Sequence, residues 1–101
     1  MNIHVIEKLN NFVKLPDDKW ESGGWNIDER KAQKLVGGVI YFHKKRFEPS
    51  FFGGSIVDCR VDQSPQYQGK VIFTFQFKAN CRNVNTDNHG WSKRMKIIGN
   101  E

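Results

Sequence analysis

VIFTFQF, residues 71–77, is the stretch whose reading decides the fold. Val71, Phe73, Phe75 and Phe77 fall on one side, and Ile72, Thr74 and Gln76 on the other. Side chains alternate across an extended strand, so this pattern predicts a strand with one face turned to a core. A face made of three phenylalanines needs large apolar partners, and these have to come from elsewhere in the chain.

Upstream, QSPQYQGK (63–70) carries turn chemistry around Pro65 and Gly69. Before it, Ser55–Val61 reads as a strand entered through Phe51-Phe52-Gly53-Gly54. Val39–His43 is a further apolar, β-branched and aromatic run. Asn26 with Glu29 three residues later resembles a helix start, and Ala32, Leu35 and Val36 follow at helical spacing up to Gly37. The expectation is one short helix over about 27–36, with Arg30, Lys31 and Lys34 outward. Residues 2–15 are ambiguous: Ile3 and Val5 alternate, whereas Ile6, Leu9 and Val13 fit helical spacing. Pro16-Asp17-Asp18 then turns the chain. Downstream, NVNTDNHG (83–90) is a polar loop, and Lys93–Ile98 reads as a last strand with Met95 and Ile97 on one face.

The fold class expected is α+β and mainly β: a single domain, 1–101, forming a small open β-barrel of about five strands with one helix. Eight Phe against three Leu favour strands over helices. Several strands sharing one buried face shelter their edges by curling. The paired glycines at 37–38 and 53–54 suit corners where backbones approach closely.

A net charge of +5 bears on partners, not on fold. It suits nucleic acid, an anionic surface or an acidic protein. No CxxC spacing, secretory leader or long apolar run is present, so the reading is a cytoplasmic protein without a membrane partner, its Cys59 and Cys81 reduced and mostly buried. A 59–81 disulfide is left open.

WESGGW (20–25), GGVIYFHKK (37–45) and FFGGSIVDC (51–59), followed by the phenylalanine-rich strand and a closing strand, resemble the PUA-like superfamily of PUA, ASCH, EVE and YTH domains. The likeness covers roughly residues 20–98 and is nearest to the EVE and ASCH branches. It implies a PUA-like open barrel and binding of RNA or DNA, in some members by enclosing a modified base among aromatics. This chain is shorter than an EVE domain, and no pocket residue of the family is carried over.

The candidate function is a nucleic-acid-binding module that recognises an unpaired or modified base in an aromatic slot with a basic rim. Trp20, Trp25, Phe51 and Trp91 are the candidate base-binding rings, with Ser22, Asn26 and Ser92 to read the base edge. His43, Lys44, Lys45, Arg46, Lys93 and Arg94 are the candidate phosphate contacts, provided the fold brings 43–46 near 93–94. The plainer reading is that the rings fill the core and the cations stay wet.

Catalysis is the less favoured alternative, and no catalytic residue is assigned. Some ASCH-type proteins are amidohydrolases acting on modified cytidine with a Lys, a Thr and a Glu. Lys44, Thr74 and Glu21 or Glu48 are present, but nothing in their spacing singles them out. Asp58 is a further acid near the expected slot. Cys59 with His43 as base resembles a thiol hydrolase, although a thiol in mid-strand is more often packing. No metal motif involves His43 or His89, and no cofactor is implied. A third class is protein interaction through Phe47, Phe51 and Phe52. The oligomeric state is left open.

Overall fold

The computed structural model describes residues 1–99. Its elements in chain order are β1 (Asn2–Ile6), β2 (Phe12–Lys14), β3 (Lys19–Trp25), α1 (Glu29–Leu35), β4 (Val39–His43), β5 (Phe52–Val61), β6 (Val71–Phe77), a single 3-10 turn (Ala79–Cys81) and β7 (Met95–Ile98). The fold is mainly β with one short helix. The strands form one mixed sheet in the order β2-β3-β6-β5-β4-β1-β7. Only β1 and β4 run parallel; every other neighbouring pair is antiparallel.

The sheet has seven strands, not about five. Besides the four strands read from the sequence, the ambiguous segment 2–15 supplies two, and WESGGW lies within a third. Alternation wins at the N-terminus because β1 lies between β4 and β7, where Ile3 and Val5 reach the core. The helical-spacing trio forms no face: Ile6 is buried, whereas Leu9 and Val13 are 76% and 56% exposed.

α1 begins two residues later than expected. Its cap is Asp28, whose carboxylate accepts from the Arg30 amide at 3.1 Å, so Asn26 is not the cap. Ile27 accounts for the delay. It packs against the core before the helix starts, and Ala32 and Leu35 then bury the inner face. The last strand also starts late, because Ser92 and Met95 first close a turn that places Lys93 at a φ of 56°.

Phe73 and Phe75 are fully buried, as the alternation of 71–77 requires. Their partners arrive by curling. Phe12 on β2 and Phe42 on β4 have ring centroids 4.8 Å apart, although β3, β6 and β5 separate those strands in the sheet. Phe52 closes the same cluster against Phe12 at 5.0 Å and Phe75 at 5.6 Å. The terminal strands β2 and β7 do not pair, so the curled sheet stays open. Gly54 permits the tight curl: a Cβ there would strike the Gln76 carbonyl on β6.

Candidate nucleic-acid interface

A cleft of about 960 Å³ lies between the β1–β2, β4–β5 and β5–β6 connections and the segment before β7, at the upper end of the roughly 300–1,000 Å³ usual for ligand sites. Its cations come from three connections: Lys8 after β1, Lys44, Lys45 and Arg46 after β4, and Lys93 and Arg94 before β7. Strands β4, β1 and β7 are neighbours, so the chain ends that carry these residues meet on one side. The Arg46 guanidinium donates to the Lys93 carbonyl at 2.8 Å, and Arg94 donates to the Ile6 carbonyl through Nε at 3.3 Å and Nη2 at 3.2 Å. Lys44 donates to Asn10 Oδ1 at 2.6 Å.

Among the described residues, none of these six cations forms a salt bridge. The side chains of Lys8, Lys45 and Lys93 have no hydrogen-bond partner there either. The carboxylates that line the cleft are engaged elsewhere. Glu7 is buried and accepts from the Leu9 amide at 3.1 Å. Glu21 is held by Arg60, and Asp62 accepts from the Ser64 amide at 2.8 Å. That last bond is the main cause holding the Asp62 carboxyl below the usual carboxylate range.

The aromatic slot does not form. Trp25 is 1% exposed, and its indole N–H donates at 2.9 Å to Ser22 Oγ, itself buried. A bulge between Ser22 and Trp25 explains this, since β3 takes three steps there against two on β6. The extra residue puts Ser22 and Trp25 on the same, inward side. The Arg94 guanidinium lies 4.8 Å from the centre of the Trp25 ring, over the face that a base would need. Trp20 packs edge-on against Phe12 and Phe52. Phe51 is partly buried and carries the Lys44 ammonium 4.4 Å from its centre. Trp91 is half-buried, edge-on to His43 at 5.9 Å and under Arg46 at 5.8 Å. Asn26 and Ser92 are exposed, but neither lines the cleft.

His43 also leaves the phosphate set. It is fully buried, its Nδ1 donates to the Glu48 carbonyl at 2.8 Å, and its Nε2 therefore accepts from His4 Nδ1 at 2.8 Å. Burial lowers its pKa, which keeps the ring neutral. His4 is pushed down to about 4, first by burial, then by His43 and Lys96. It stacks on Tyr41 at 4.5 Å. Lys96, the register partner of His4, donates to Asp87 Oδ1 at 2.6 Å and ties down the 83–90 loop.

The thiols are free and buried, so no 59–81 disulfide is formed. Burial raises both thiol pKa values, and the neighbouring Asp58 raises that of Cys59 further. Neither is an activated nucleophile. Glu21 and Lys44 line the cleft, whereas Thr74 and Glu48 do not. Phe51 and Phe52 pack on the core, which leaves Phe47, 72% exposed, alone of the expected apolar patch. Among the described residues, no group of three or more His, Cys, Asp or Glu is placed to hold a metal ion. No helix is long and apolar enough to cross a membrane.

Sequence reasoning alone does not single out Lys8, Leu9, Asn11 and Tyr67. The first three sit on the β1–β2 connection, where Asn10-Asn11 is a turn signal and Asn10 adopts a φ of 55°. Tyr67 stands inside a polar turn, where nothing marks it. No family model matches the chain, and comparison with curated proteins and with solved structures found no match.

Proposed function

We propose that the chain is a nucleic-acid-binding module that holds phosphates in the open cleft of its curled sheet. One observation carries this reading. Lys8, Lys44, Lys45, Arg46, Lys93 and Arg94 converge on one concave surface, where they outnumber the lining carboxylates Glu7, Glu21 and Asp62 and, among the described residues, form no salt bridge with them. The surplus of positive charge attracts a polyanion, which releases its own condensed ions on binding. The resemblance of residues 20–98 to the PUA-like superfamily, whose members mostly bind RNA or DNA, points the same way; membership is part of the proposal.

The test is binding of labelled oligonucleotides, followed by fluorescence anisotropy at several salt concentrations. Lys45→Glu and Lys93→Glu remove exposed side chains without a hydrogen-bond partner among the described residues, so the fold is expected to persist. Each substitution should weaken binding and lower the slope of log affinity against log salt by about 0.7–0.9 for every phosphate that is no longer neutralised. Binding that is absent at low salt, or unchanged in the double variant, overturns the proposal.

Protein interaction is a second reading, favoured by the exposure of Leu9, Val13 and Phe47. It predicts self-association or partner capture that is indifferent to salt, and light scattering distinguishes it.

A further inference from the structure

Another part of the cleft lining, from β3, β6 and the β5–β6 connection, is of a different kind. It holds Tyr67, Ile72, Gly23 and Gly24 with the carboxylates Glu21 and Asp62, and Tyr67 is the one aromatic residue among those lining the cleft. Tyr67 is 44% exposed, unlike Trp25. Gly24 lies alongside the ring: a Cβ built there would be in ordinary contact, 4.0 Å, with Cδ1 and Cε1 of the tyrosine.

The loop that presents this ring is well fastened. The Asp62 amide donates to the Lys70 carbonyl at 2.7 Å, the Lys70 amide to the Tyr67 carbonyl at 2.9 Å, and the Gly69 amide to the Asp62 carbonyl at 3.1 Å. A loop backbone held in this way loses little conformational freedom when something stacks on the ring it carries. Leu9 and Val13 add exposed apolar surface in the same cleft.

We infer that the cleft selects single-stranded nucleic acid, with one unpaired base on Tyr67 and the adjoining phosphates against Lys44, Lys45 and Lys93. This rests on the phosphate-binding reading above and specifies its ligand. An aromatic platform beside a basic groove is the arrangement that single strands need, because every base offers a π-face and every linkage a charge. A duplex keeps its bases stacked inside, so it presents only phosphates and gains nothing from the tyrosine.

The experiment compares a labelled decamer of uridine or thymidine with a duplex of equal length, using the wild-type chain, Tyr67→Ala, Tyr67→Phe and Lys45→Glu/Lys93→Glu. Circular dichroism and a thermal melt check that each variant is folded. Tyr67→Ala should weaken single-strand binding about 5- to 140-fold. It should leave duplex binding and the salt slope unchanged. Tyr67→Phe should bind as wild type, since the ring face is what matters. If the lysine variant loses binding while Tyr67→Ala binds both strands normally, the platform is overturned and the phosphate cleft stands. If neither variant differs from wild type, both readings fall.

Discussion

The chain turns two corners through a glycine followed by a tryptophan, at Gly24-Trp25 and at Gly90-Trp91. Both glycines adopt nearly the same left-handed conformation, with φ of 81° and 83°. A polar residue follows each tryptophan, Asn26 in one case and Ser92 in the other. The outcomes diverge all the same. Trp25 lies on β3 in the interior of the sheet and is sealed, its indole N–H bonded to Ser22. Trp91 lies just before the edge strand β7, half-buried, and its indole N–H is enclosed without a partner. The local sequence and the glycine φ are alike, but Gly24 stands at a bulge within β3 and Gly90 in a bend before β7, so the difference comes from what the neighbouring segments place against each ring. β6 supplies a register in which the bulge can turn Trp25 inward. Trp91 meets His43 and Arg46.

The comparison can be tested by removing each ring. Trp25→Ala should cost about 3–5 kcal/mol, the usual loss for a large buried aromatic, and urea titration measures it. A loss below about 1 kcal/mol would mean that the ring is not core.

Acid should act at the second corner, because His43 packs on Trp91 and bonds to His4. The folded His4 pKa, about 4, lies below the usual 6.5. The unfolded chain therefore takes up that proton first as pH falls. Stability is complete above about pH 6.5 and declines toward pH 4, by up to about 3 kcal/mol. Urea titrations at pH 7.5 and 4.5 measure the loss. His4→Asn, which keeps a donor for His43, should flatten the dependence, and an unchanged dependence would remove His4 as its source.

The smallest effects concern the two N–H groups. Ser22→Ala leaves a buried donor unpaired and should cost about 1–3 kcal/mol. Trp91→Phe removes a donor that is already unpaired, so it should be neutral or stabilise by up to about 1 kcal/mol. Equal losses in the two variants would erase the distinction between the corners.

Part of this could be read from the residues. The alternation in 71–77 and the runs at 39–43 and 55–61 depend on local periodicity, and each became a strand. The helix was legible from Ala32 and Leu35, though its start was set by the packing of Ile27. The clustering of 43–46 with 93–94 was expected only on condition that the strands bring them together, and the order β4-β1-β7 does so. Tyr67 carried no periodic signal, because a loop residue gains its meaning from what else lines the cleft.

The sequence by itself determined that strands would dominate, where several of them lie, and that the chain would be basic. These follow from side-chain period, β-branched and aromatic content, and a sum of charges. Tertiary structure alone decided which rings are sealed and which is open. One extra residue in β3 reverses the side on which Trp25 falls, and curling brings residues from opposite ends of the sheet to a shared opening. Both depend on pairing between segments distant in the chain, which no local pattern encodes.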